Sequence, residues 1–106
     1  MSMYQLKFTE NAKKVIEKEN VKELYINIRY VQGPCSDNLC RLIPKIEIDT
    51  FKPENIQCYM IYNGLARIYA IQPIKKAIEK YRDTIITINY SKLRNRFTVS
   101  GITYSY

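Results

Sequence analysis

Ile56-Gln57-Cys58-Tyr59-Met60-Ile61-Tyr62-Asn63-Gly64-Leu65-Ala66-Arg67-Ile68-Tyr69-Ala70-Ile71 is the stretch that decides the fold class. Two runs rich in Ile and Tyr flank Asn63-Gly64. Asn-Gly supplies the positive φ at both central residues that a two-residue type I′ hairpin turn needs. The spacing predicts strands from Ile56 to Tyr62 and from Leu65 to Ile71, with Tyr62 opposite Leu65 and Tyr59 opposite Ile68. Cys58 then falls mid-strand on the face of Ile56, Met60 and Tyr62, where a small apolar filler is the plain reading.

Beyond this hairpin, Pro73 suits the first turn of a helix. Ile74, Ala77, Ile78 and Tyr81 recur at helical spacing, while Lys75, Lys76, Glu79, Lys80 and Arg82 fill the other side. Thr84 to Tyr90 and Phe97 to Tyr104 read as two more strands, joined through Ser91-Lys92-Leu93-Arg94-Asn95-Arg96.

In the other direction, Lys45 to Asp49 alternates, with Ile46 and Ile48 inward and Lys45, Glu47 and Asp49 outward. Glu23 to Val31 is a long strand with Leu24, Ile26, Ile28 and Tyr30 on one face. Gln32 to Asp37 carries turn chemistry in Gly33-Pro34. Tyr4 to Phe8 is a short alternating strand. Thr9 then offers an N-cap hydroxyl to a helix from Glu10 to Glu19, which buries Ala12, Val15 and Ile16 and stops at Asn20. The expected architecture is α+β: a β-rich sandwich of about seven mostly antiparallel strands with two short helices. Residues 1–106 read as a single domain, with no internal repeat, linker or low-complexity run.

Three stretches in this order resemble the HesB/IscA-like family, the A-type iron–sulfur carrier fold. Phe8-Thr9-Glu10-Asn11-Ala12 is similar to that family's strand-to-helix start. Leu24-Tyr25-Ile26-Asn27-Ile28 leading to Gly33-Pro34-Cys35-Ser36 is similar to its strand, glycine-containing loop and first cysteine. Ile68 to Pro73, the helix, Ile86 to Tyr90 and Arg96 to Gly101 follow its C-terminal strand, helix, strand and final strand. The resemblance implies a HesB-like fold and a small non-enzymatic protein that holds a metal or an iron–sulfur species. Family carriers also have a Cys-Gly-Cys near the C-terminus. Here Gly101-Ile102-Thr103-Tyr104-Ser105-Tyr106 has no cysteine, and Cys40 follows Cys35 instead. That is closer to a divergent branch, the cysteine/selenocysteine-motif proteins.

The residues themselves leave several roles open for Cys35 and Cys40. Thiolates bind zinc or iron–sulfur clusters, and two of them on a polar loop can converge. Two cannot close a tetrahedral site, so a homodimer pooling four, or help from Cys58 or Asp37, would be needed. A disulfide between them is the second reading, and no special role is the third.

Charge supplies the competing function. Seventeen basic and ten acidic residues give a net +7. Residues 67–96 hold eight basic and two acidic residues, whereas residues 1–66 hold nine and eight. Lys75, Lys76 and Lys80 on the helix, and Lys92, Arg94 and Arg96 at the last turn, are candidates for binding nucleic acid or another polyanion. Tyr90 and Phe97 beside that turn suit base stacking. A structural or interaction protein without a ligand is the third class.

The absence of histidine excludes every mechanism that needs a histidine base or ligand from this chain. No phosphate-loop or dinucleotide motif is present. Glu47 and Asp49 read as solvent-exposed, and Arg41 beside Cys40 is the lone hint of an activated thiol. Met1 to Phe8 lacks the apolar run of a leader, and no stretch is long enough to span a bilayer, so a cytoplasmic protein without membrane contact is expected. Sixteen Ile and eleven Lys beside three Gly match a heat-adapted composition, against which eight Asn count.

Overall fold

The computed structural model describes residues 5–33, 42–80 and 84–102. Its elements are β1 (Gln5–Phe8), α1 (Glu10–Glu19), β2 (Glu23–Gln32), β3 (Leu42–Asp49), β4 (Cys58–Asn63), β5 (Arg67–Ile71), α2 (Gln72–Lys80), β6 (Ile85–Ser91) and β7 (Arg96–Ser100). Seven strands form two mixed sheets, ordered β1-β6-β7 and β3-β2-β5-β4, and the helices complete an α+β fold.

Local chemistry sets the helix ends. The Thr9 hydroxyl accepts from the Ala12 N–H at 3.3 Å, supplying one of the orphan donors at the start of α1. Asn20 closes α1 in the left-handed conformation, φ 54, and its N–H bonds Ile16. The last strand stops at Gly101, whose φ is +91. A Cβ there would collide with the Ile85 carbonyl, so glycine is required.

The Asn63-Gly64 turn departs from expectation. The loop has three residues, Gly64 to Ala66, with Asn63 opposite Arg67. Tyr62 faces Ile68 and Tyr59 faces Ala70, and the register shifts between Met60 and Tyr62. Neither Asn63 nor Gly64 has positive φ. Ala66 is only 3% exposed, and the extra residue lets it enter the core while the bulge turns Tyr62 inward.

The fold also contains a repeat that the apolar pattern alone does not reveal. At a spacing of 62 residues, Lys13-Lys14 matches Lys75-Lys76, Ile16-Glu17-Lys18 matches Ile78-Glu79-Lys80, and Ile26-Asn27 matches Ile88-Asn89. The match needs no gap and joins equivalent elements: β1, α1 and β2 correspond to β5, α2 and β6.

Strand pairing is reciprocal. Leu6 of β1 pairs in parallel with Ile86 of β6, and its counterpart Ile68 of β5 pairs with Leu24 of β2. Each half therefore inserts its first strand beside the long strand of the other half. Each long strand then forms an antiparallel hairpin with its own successor, β2 with β3 and β6 with β7. The two halves thus share one topology, and each completes the other's sheet.

A shared capping device marks where each short strand ends. The parallel pairings stop at Ile26 and Ile88. The Asn27 side-chain oxygen accepts from the Ile28 N–H at 2.8 Å, and that of Asn89 accepts from the Tyr90 N–H at 2.8 Å. Each asparagine thus satisfies an amide just past the end of the neighbouring strand. Asn89 also accepts from the Thr9 hydroxyl at 2.6 Å, tying the start of α1 to β6.

One core serves both halves. Leu24, Ile26, Ile68, Ile74, Ile86 and Ile88 are fully buried, and four of them form the matched pairs Leu24/Ile86 and Ile26/Ile88. Burying each such side chain contributes about 1.5–3 kcal/mol. β3 and β7 lie side by side where the two sheets meet. There Glu47 receives Arg29 at 3.5 Å and Arg96 at 3.8 Å, so it is a half-buried bridge between halves rather than a solvent-exposed acid.

Candidate functional site

The two halves differ most at their hairpins. The β6–β7 ladder ends at Ser91 opposite Arg96. The matching pair in the first half is Arg29 opposite Lys45, but β2 and β3 continue through Tyr30–Pro44, Val31–Ile43 and Gln32–Leu42. This ribbon carries three large apolar residues at the surface: Tyr30, Leu42 and Ile43 are 48%, 60% and 42% exposed. Cys35, Cys40, Asp37 and Arg41 belong to the connection between Gly33 and Leu42 and lie outside the described residues. Because Gln32 and Leu42 are register partners, that connection leaves and returns at the same end of one ribbon.

Cys58 is elsewhere. It pairs with Ile71 at the start of β4, which is level with Asn27 on β2. Five further residues of β2, about 16 Å at the strand rise, separate that level from Gln32. Cys58 is half-buried against the core. Burial pushes its thiol up, and nearby Lys52 only partly opposes the shift. Among the described residues no group of three or more His, Cys, Asp or Glu could hold a metal ion.

A tyrosine cluster on the face of Cys58 was not anticipated from the sequence. Parallel pairing of β2 with β5 sets Tyr25 beside Tyr69, with ring centroids 5.2 Å apart and planes at 18°. The Tyr25 hydroxyl donates to Glu23 at 2.8 Å, and Glu23 also meets Arg67 at 3.6 Å. The bond to the carboxylate, together with burial, pushes the Tyr25 hydroxyl up to about 12. A groove of about 500 Å³ runs past Tyr25 between Lys22 and Phe51-Lys52. The Glu23 bond and burial favour the protonated phenol of Tyr25, and burial favours the neutral thiol of Cys58.

The basic candidates fall into two places. Lys75, Lys76 and Lys80 lie on α2, which packs against β4, β5 and β2. Lys75 meets Glu79 at 2.9 Å and sits 5.6 Å from the centre of the Tyr59 ring. Lys92 and Arg94 lie in the exposed turn after β6, about 20 Å along that strand from its start. Arg96 is held by Glu47. Around this turn Phe97 is not available for stacking. Phe97 is 6% exposed, Tyr90 meets it edge-on at 5.1 Å, and the Tyr90 hydroxyl donates to Asn95. Phe97 is therefore part of the core, while Tyr90 stays half-exposed beside it.

No protein-family model matches the chain, and no curated protein or solved structure is significantly similar to it. Among the described residues no helix is long and apolar enough to cross a membrane.

Proposed function

We propose that the chain is a non-enzymatic HesB-like domain that holds a metal ion or an iron–sulfur species through Cys35 and Cys40. One observation carries this reading: the β2–β3 ribbon is an addition that the second half of the fold does without, and the connection beyond it contains both cysteines. The family resemblance itself rests on the sequence stretches from Phe8 to Ala12, Leu24 to Ser36 and Ile68 to Gly101.

The donor set fits a soft or borderline metal, because two thiolates are available and the chain has no histidine. They supply half of a tetrahedral site. Cys58 belongs to a different part of the sheet, so the remaining ligands come from a second copy in a homodimer or from Asp37 between the two cysteines. The protein's part is to present deprotonated sulfur and to hold or pass on the bound species. The reading takes the compartment to be the cytoplasm, where thiols stay reduced.

The test is anaerobic purification under reducing conditions, followed by metal analysis and a visible spectrum. One site per two chains is expected if a homodimer pools four thiolates, and one per chain if Asp37 completes the set. Cys35→Ser and Cys40→Ser should each release the metal, and Cys58→Ser should retain it. In a further variant, residues 30–44 are replaced by Lys-Leu-Arg-Asn, the sequence of residues 92–95. It should keep the far-UV spectrum and lose the metal. Metal-free wild-type protein, or metal content indifferent to Cys35→Ser, would sink the proposal.

A further inference from the structure

We infer that the end of the molecule formed by Phe51 and the β6–β7 turn docks on an anionic lipid surface, with Phe51 and Leu93 entering the interface and Lys92 and Arg94 meeting the headgroups. The proposal is independent of the cysteine reading. It starts from the two most exposed large apolar side chains among the described residues: Leu93 is 96% exposed and Phe51 is 80% exposed. One exposed leucine alone is ordinary. These two stand at one end of the fold. Phe51 lines a cavity of about 260 Å³ together with Tyr90, Asn95 and Arg96, and Leu93 belongs to the same turn as Asn95.

The turn holds its shape without Leu93. Ser91 and Arg96 close it as ladder partners. The Arg94 N–H donates to the Ser91 hydroxyl at 3.2 Å, and the Tyr90 hydroxyl donates to Asn95, which takes the left-handed conformation, φ 56. None of these contacts uses the Leu93 side chain, and a polar residue suits a solvent-exposed turn better. Phe51, in the connection from β3 to β4, also lines the groove past Tyr25, together with Lys22 and Lys52.

Charge selects an anionic surface. Ser91 to Arg96 carries three cations and no acid. Arg96 is held by Glu47, whereas Lys92 and Arg94 enter no ion pair among the described residues. They flank Leu93 in the chain, so both cations sit at headgroup level when the leucine passes it. Glu19 and Asp49 line the smaller cavity, so the anion is met at the turn and not inside the cavity. A nucleic acid would meet the same two cations, but a leucine projecting between them has no counterpart on a phosphate backbone. Acyl chains supply one. The sequence expectation of no membrane contact rests on the lack of a spanning segment, and a protein that lies on a bilayer needs none. Cations and a few apolar side chains together give reversible attachment.

The test is co-sedimentation of the full chain with vesicles of phosphatidylcholine alone and of phosphatidylcholine with phosphatidylserine. Binding is expected only with the anionic vesicles, and it should weaken as salt is raised. Lys92→Gln with Arg94→Gln should weaken it roughly 30-fold, at the usual attraction of two cations near an anionic surface. Phe51→Ser and Leu93→Ser should each weaken it about tenfold or more. Both side chains are solvent-exposed, so far-UV spectra and urea midpoints should stay at wild-type values. The chain has no tryptophan, so Leu93→Trp and Phe51→Trp each provide a single reporter whose emission should shift to the blue on the anionic vesicles. The proposal fails if the anionic vesicles do not bind, or if neutral vesicles bind equally well. It also fails if neither serine variant weakens binding, if neither reporter shifts, or if a DNA duplex at the same salt binds more tightly than the anionic vesicles.

Discussion

Residues 5–49 and 67–100 solve the same folding problem twice and reach different ends. Both lay a short strand beside the other half's long strand, follow it with a helix, and return as a hairpin. In the second half the hairpin closes at once through residues 92–95. In the first it runs on for three more ladder pairs and a cysteine-bearing connection. Two-stranded ribbons are marginal in water, and this one exposes Tyr30, Leu42 and Ile43. The contrast separates what the scaffold needs from what is added to it. The second half shows that a short turn suffices to join two such strands.

The comparison can be broken most forcefully in the core. Ile26 and Ile88 occupy matched, fully buried positions. Truncating either to alanine should cost about 2–5 kcal/mol, read from urea unfolding midpoints. The two losses should agree closely; a large loss at one and a small loss at the other would show that the halves do not share the load. Removing the asparagine caps should cost less. Asn89→Ala breaks two hydrogen bonds and Asn27→Ala one, so losses of about 2 and about 1 kcal/mol are expected. Equal losses would remove Thr9 as the reason for the difference.

The smallest effect sharpens a point where the halves diverge. Tyr25 corresponds to Thr87, so the second half has no matching phenol. The folded state holds the Tyr25 proton up to about 12, above the ordinary 10.0. Folding therefore binds that proton more tightly, and the resulting stability is complete below pH 10 and lost as pH rises toward 12. Unfolding midpoints taken from pH 9 to 11.5 should fall more steeply for the wild type than for Tyr25→Phe. Parallel curves would mean that the Glu23 contact does not hold in solution.

Much of each half is legible locally. Thr9, the stripe of Ala12 and Ile16, and Asn20 bound α1 because capping and amphipathic spacing depend on near neighbours. The alternation of Leu24 and Ile26 likewise marks the buried face of β2. The hairpin at Asn63-Gly64 misleads, because the need to bury Ala66 outweighs the local preference for a two-residue turn. The parallel pairings of β1 with β6 and β2 with β5 have no local signal, since their partners lie far away in the chain. The repeat hides for a related reason: apolar periodicity looks alike in any two amphipathic helices, and the match stands out only residue by residue, at lysines and asparagines that carry no periodicity. The tyrosine cluster depends on the same distant register. Cys35 and Cys40 can be read from the sequence as a loop pair, but their ligand cannot.

The exchange of first strands between halves also bears on how the protein is made. Gln5 pairs with Ile85, so β1 must wait for about 80 further residues before its neighbour exists. Synthesis from the N-terminus produces Leu6 and Phe8 long before Ile86 and Ile88, the strand residues that pair with them. Closing so large a loop is slow, because its entropy is lost before the pairing is gained. The half-made chain on the ribosome, with one sheet lacking its centre, is therefore the stage at which this protein is most open to misassociation.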